Sequence, residues 1–147
     1  MIHDDGQGCS LRELDELLST HAFHGFPVVC GEQLLGFVTR DKLRQCIEPL
    51  VAEDAASGNE RRCTFLPPRN GGAADMLNLS SIFEEAVLQL RKDVPLELVV
   101  NMFHKLNLRH VLFSQGGKLT GLVTKADITW LLTAHFSHTG ALSEKHR

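Results

Sequence analysis

Nowhere in this 147-residue chain is there an apolar run long enough to span a bilayer, and its start carries no signal-peptide pattern. There is no basic excess either: 15 Lys and Arg stand against 18 Asp and Glu, a net charge of −3. Broad, salt-driven binding to nucleic acid or an acidic membrane needs a clustered basic face, so both are disfavoured. A small anion held in one local pocket stays compatible. Cysteine is sparse and scattered, at Cys9, Cys30, Cys46 and Cys63, with no Cys-x-x-Cys pair. That spacing suits reduced thiols in a cytosolic compartment better than a disulfide framework. The paired histidines His21-x-x-His24 and His135-x-x-His138 lack a Cys or carboxylate partner at ligand spacing, so no metal site is expected. No nucleophile stands in a recognisable catalytic context, so no enzymatic activity is expected.

What is present is a globular composition, 43% apolar and 22% charged, in a length suited to one domain or two small halves. It also holds a phrase written twice. Residues 36–43 read GFVTRDKL and residues 121–128 read GLVTKADI. An offset of 85 aligns residues 11–47 with 96–132 without a gap, placing Leu11 on Leu96, Leu14 on Val99, Gly36 on Gly121 and Thr39 on Thr124. Similarity at a fixed offset means one supersecondary unit used twice.

Each unit reads as helix, strand, strand, helix. Leu11, Leu14, Leu17 and Leu18 recur at helical spacing, as do Leu96, Val99, Val100 and Phe103. Ser10 and Glu13 form a capping box before the first helix, and Pro95 suits the first turn of its counterpart. The runs GFPVVC (25–30) and HVLFS (110–114) predict strands, each followed by a polar turn, Gly31-Glu32-Gln33 or Gln115-Gly116-Gly117, and a second strand. Helices then follow over about 40–48 and 125–136, and an extra short strand is expected before each first helix, AVLQL (86–90) in the second copy. The expected division is a first repeat over 1–50, a partly mobile linker over 51–80, a second repeat over 81–136 and a tail over 137–147. Such α-β-β-α units, an α/β (α+β) class, must pack face to face to bury their sheets.

The repeated phrase differs at one charge: Asp127 in the later copy aligns with Lys42 in the earlier. Thr124 and Asp127 read as a capping box. The same helix start, following a strand, suits a phosphate, and a carboxylate there suits the two hydroxyls of a ribose. Both readings stand on the motif.

GLVTKAD (121–127) matches the nucleotide motif Gly-apolar-x-Thr/Ser-x-x-Asp of tandem CBS domains. HGFPVV (24–29) and PLELVVNMFHKLNLRHVLF (95–113) further resemble the cytoplasmic C-terminal region of eukaryotic CLC chloride channels and proton-coupled chloride transporters. The resemblance covers about residues 2–48 and 81–134. It implies two CBS repeats with an adenine nucleotide, ATP, ADP or AMP, in the cleft between them, and no obligatory cofactor. Phe23 would stack on the base and His24 would offer its backbone to the adenine edge. The Gly25-Phe26-Pro27 strand start would line the site, Ile2 would offer a backbone contact, and Thr124, Lys125 and Asp127 would hold ribose and phosphate. Ala126 stands where some relatives place lysine, which weakens any preference for a triphosphate. Lys42 implies a vacated first site. The resemblance also implies a homodimer at the cytosolic face of a membrane, partnered with a transmembrane chloride-transport domain. Two functions follow: a nucleotide-sensing regulatory domain, or a dimerising assembly module that binds none.

Overall fold

The computed structural model describes residues 1–67, 76–85 and 87–134, and the chain divides into two units, Met1–Val87 and Leu88–Arg147. In the first unit, β1 (Ile2–His3) is followed by β2 (Cys9–Ser10), α1 (Leu11–Thr20), β3 (Gly25–Cys30), β4 (Gln33–Thr39) and α2 (Arg40–Ser57). Then come β5 (Arg62–Thr64), β6 (Leu77–Asn78), a 3₁₀ turn at Ser80–Ile82 and β7 (Phe83–Glu84). The second unit holds β8 (Gln89–Leu90), α3 (Leu96–Leu106), β9 (His110–Gln115), β10 (Lys118–Thr124) and a helix over 125–134, α4. The α-β-β-α reading of both repeats, and the mixed α/β class, are therefore what is found.

Local chemistry explains the repeated parts. Ser10 Oγ accepts the Glu13 amide at 3.0 Å while Glu13 Oε2 accepts the Ser10 amide at 3.1 Å, the reciprocal cap expected for α1. Leu11, Leu14 and Leu18 point from its inner face into the core, each at most 4% exposed. Pro95 sits at the N-cap of α3 rather than within its first turn, and its carbonyl accepts the amides of Leu98 and Val99. The β9–β10 turn is tight because Gly116 and Gly117 both take positive φ, 59° and 80°, as a primed two-residue turn requires.

The two hairpins share one register. Gly25 faces Thr39, Pro27 faces Phe37 and Val28 faces Gly36; adding 85 to each gives His110 opposite Thr124, Leu112 opposite Leu122 and Phe113 opposite Gly121. Both carry a bulge at the same place, between Leu34 and Gly36 in the first hairpin and between Leu119 and Gly121 in the second. The first strands depart from the offset. Ile2 pairs in parallel with Val28, whereas Leu90 pairs with Phe113, the equivalent of Val28. The first copy thus carries three more residues between strand and helix, which form β2 and its approach. Ala86, the start of the expected 86–90 strand, lies outside the described residues.

Two expectations are corrected. The helix expected to end near 48 runs to Ser57, through Pro49. Proline deprives the Gln45 carbonyl of its helical donor, but Gln45 is exposed, where water reaches it. Leu43 and Ile47 are buried on the inner face with Leu50 and Val51 packed beside them, so the helix continues until Gly58 caps it with φ 71°.

The segment read as a surface excursion or partly mobile linker is, where described, built into the first core. Cys63, Phe65 and Leu79 are each 0% exposed. β5 pairs antiparallel with β2 and parallel with β6, forming a second small sheet. Its strands are two and three residues long, too short to register as a period in the sequence. Residues 68–75 and 135–147, including the expected tail and His135 and His138, lie outside the described residues.

Candidate functional site

In the second unit the motif closes on itself. Asp127 Oδ2 accepts the Thr124 amide at 2.8 Å and the Thr124 hydroxyl at 2.9 Å, and Thr124 Oγ1 lies 3.3 Å from the Asp127 amide. The capping reading is thus realised. Both local bonds fall on Oδ2, and the residue is exposed, so the carboxylate keeps accepting capacity toward solvent. The amide of Lys125 is tied to the Arg109 carbonyl at 2.9 Å, which fixes where β10 turns into α4.

The first unit repeats that tie 85 residues earlier, from the Arg40 amide to the His24 carbonyl at 2.7 Å. Its helix start is otherwise different. Thr39 makes no side-chain cap bond, and Lys42 stands where the acid of a reciprocal cap would be. Lys42 Nζ lies 3.7 Å from Glu84 Oε1. The Arg40 guanidinium donates to the carbonyls of Leu18 and His21 at the C-terminal end of α1, a cation on the negative pole of a helix. Nothing in the periodicity pointed to Arg40 as that tie; its partners are 22 and 19 residues away.

Phe23 is 59% exposed, held out of the core beside β3. Its ring stacks on His21 at 5.3 Å and 14°, and meets the buried Phe26 edge-on at 6.4 Å. His24 is exposed as well, with its carbonyl committed to Arg40. Gly25, Phe26 and Pro27 are buried, and Phe26, at 1% exposure, is a core residue. A Cβ on Gly25 would lie 2.7 Å from the Val38 carbonyl oxygen, so the residue is glycine for packing. Ile2 is buried at 4% and pairs with Val28 in the sheet.

Three polar features of the first unit escaped the sequence reading. Asp4 is fully buried, yet its Oδ2 accepts the Thr64 hydroxyl at 2.9 Å and the Phe65 amide at 2.8 Å, and its Oδ1 the Gly6 amide at 3.3 Å. Asp54, 8% exposed, receives the Arg61 amide at 3.1 Å on Oδ2, and its Oδ1 sits 3.0 Å from Arg61 Nε without a well-aligned hydrogen bond, held by charge. Burial pushes the Cys9 thiol up to about 12 and the Cys63 thiol up to about 11, so neither is a ready nucleophile. Among the described residues no cluster of His, Cys, Asp and Glu fits a metal ion, and no helix is long and apolar enough to cross a membrane.

The architecture has solved counterparts. Staphylococcus aureus OpuCA superposes with a TM-score of 0.60 at 17% identity over 91% of this chain and 93% of that one. The CBS domain pair of protein MJ0100, in complex with 5′-methylthioadenosine and S-adenosyl-L-methionine, gives 0.55 at 20% over 89% and 90%. CBSX2 in complex with AMP gives 0.60 at 16% over 91% and 87%. In sequence, H+/Cl− exchange transporter 3 of rat and of human is 30% identical over 125 residues, 81% of this chain. The chain is a CBS domain pair related to the H+/Cl− exchange transporters. Exchange transporter 5 of Cavia porcellus shows the same identity over the same span. No protein-family model matches the chain. This CBS pair spans only 15% of the length of the transporter 3 relatives and 17% of transporter 5 from Cavia porcellus.

Proposed function

We propose that this CBS pair is a cytosolic regulatory domain of a CLC-type H+/Cl− exchanger that binds one adenine nucleotide and thereby modulates transport. Phe23 stacks on the base, Asp127 accepts from the ribose hydroxyls, and Thr124 and Lys125 lie toward the phosphates. His24, the main chain of Gly25-Phe26-Pro27 and the main chain of Ile2 complete the set. The exposed Phe23 ring carries the reading. A large aromatic is normally a buried residue, and leaving one out of the core forgoes roughly 1.5–3 kcal/mol. A stacking platform for a base is the use that recovers it. The adenine-containing ligands in the CBSX2 and MJ0100 structures support the ligand class.

Regulation follows by population shift: the nucleotide must bind one arrangement of the parent protein more tightly than another. The domain's own role is binding, not catalysis. Calorimetric titration with AMP, ADP and ATP tests the reading, run beside Asp127→Asn and Phe23→Ala. Saturable binding near one per chain, weakened in both variants, is expected. Absence of binding up to millimolar ligand overturns it.

A second reading has its own observation. In the second unit Leu96, Leu98 and Trp130 are exposed by 57%, 50% and 70%, and Leu96, Val100, Leu131 and Leu132 line a groove of about 520 Å³ between α3 and α4. Apolar exposure of that kind suits an interface, here with a second copy of the chain. Sedimentation of the wild type against Trp130→Lys separates the two: a dimer lost in the variant with no nucleotide bound by either chain favours an assembly module.

A further inference from the structure

The glycine that opens each copy of the repeated phrase has a different neighbourhood. A Cβ on Gly121 would meet Phe113 Cβ at 3.9 Å, an ordinary contact. A Cβ on Gly36 would strike the Phe83 ring at 2.5 Å and overlap the Glu84 carbonyl oxygen. The crowding comes from β7, which pairs antiparallel with β4, Glu84 opposite Phe37 and Phe83 opposite Val38.

That pairing is anchored from behind. Leu79 is 0% exposed and its amide donates to the Thr64 carbonyl at 2.8 Å. The Phe83 ring packs on Phe65 with centroids 5.7 Å apart, and Ile82 and Phe83 both lie against the first core. Finally Glu84 Oε1 faces Lys42 Nζ, the side chain at the position aligned with Asp127.

We propose that residues 79–84 are an internal strap closing the ligand face of the first motif. Gly36, Phe37, Val38 and Lys42 are all engaged by Phe83 and Glu84, whereas in the second motif Gly121 is uncrowded and Asp127 exposed. The chain thus supplies its own occupant, with the Glu84 carboxylate answering the Lys42 ammonium. The excluded ligand rests on the nucleotide reading above; the closure rests on the packing of the strap.

The strength of the hold lies in the strand pair and in Phe83. Lys42 and Glu84 are about half exposed, 55% and 45%, and such surface pairs contribute about 0–1 kcal/mol. Restoring an acid at position 42 therefore leaves the strap shut.

The experiment combines AMP titration with amide hydrogen exchange on the full chain. Four proteins are compared: wild type, Lys42→Asp, Phe83→Ala, and Lys42→Asp with Phe83→Ala. One binding event is expected in the wild type, and still one in Lys42→Asp. Phe83→Ala should speed exchange at Phe37, the β4 amide that faces β7, by about tenfold or more as the pair opens. The double variant should gain a second event. Glu84→Pro repeats the opening without a core cavity, in case Phe83→Ala does not fold. A second event in Lys42→Asp alone overturns the strap, as does unchanged exchange in the Phe83 and Glu84 variants. Fast exchange in the double variant with no second event overturns its role as occupant. If no chain binds AMP the nucleotide reading fails, and exchange alone then decides whether the strap is there.

Discussion

Asp127 binds Thr124 through one carboxylate oxygen, taking the backbone amide at 2.8 Å and the hydroxyl at 2.9 Å on Oδ2. The same residue therefore holds the start of α4 in shape and keeps accepting capacity at a surface-exposed helix N-terminus. Capping and ligand binding make separable demands on it, since capping needs an acceptor and ribose binding gains from a charge.

Asp127→Asn keeps an acceptor and removes the charge. Stability should fall by no more than about 1 kcal/mol, within the range of cap substitutions. Nucleotide affinity should drop by about tenfold or more, because charge-assisted hydrogen bonds contribute about 1.5–3 kcal/mol. Calorimetry and urea unfolding on one preparation check both; equal losses in binding and stability would mean the carboxylate is only a cap.

Phe23→Ala touches an exposed ring, so urea midpoints should move little, by about 0.5 kcal/mol or less. Base stacking contributes about 1–3 kcal/mol, so affinity should fall by roughly fivefold to a hundredfold or more. Phe23→Trp should retain binding. Loss of stability without loss of binding would make Phe23 a packing residue.

Asp4→Ala should be the most damaging of these changes. It strands the Phe65 amide in a fully buried site and the Thr64 hydroxyl in a half-buried one. Each unsatisfied buried donor costs about 1–3 kcal/mol, so a loss of about 2–4 kcal/mol in urea unfolding is expected. Asp4→Asn, which retains an acceptor, should cost less.

The two buried thiols give the first unit an alkaline limit. Folding raises both above the ordinary value of 9.0, to about 12 for Cys9 and about 11 for Cys63, chiefly because burial penalises the thiolate. Above pH 9 the unfolded chain releases these protons first and binds fewer than the native state. Stability is thus full below about pH 9 and declines as pH rises toward the folded values. Cys63→Ala should be less stable at neutral pH but show a shallower decline between about pH 8 and about pH 10.5. A parallel decline would assign the loss to other groups.

The repeat was legible in the sequence because its signal is local. Leucines at helical spacing, a Ser-x-x-Glu cap, glycine turns and alternating apolar strands recur at an offset of 85, and each is satisfied within a few residues of itself. The hairpin register follows from the same cause, since turn geometry sets which residues face one another. Asp127 and Thr124 were readable for that reason too, being three residues apart.

What tertiary structure alone decided is whatever depends on partners distant in the chain. Pro49 ends a helix by local rule, but packing of Leu43, Ile47, Leu50 and Val51 carries α2 on to Ser57. The stretch of Ala, Gly, Pro and charge after it has no period, yet Cys63, Phe65 and the following Leu79 are fully buried, and an aspartate some 60 residues away holds Thr64 and Phe65. The same holds for the first motif: Lys42 showed that an acid had gone, and only the folded chain put Phe83 and Glu84 against what remained. Short-range hydrogen bonds and periodicity are written residue by residue, whereas burial of a two-residue strand depends on which surface happens to be waiting for it.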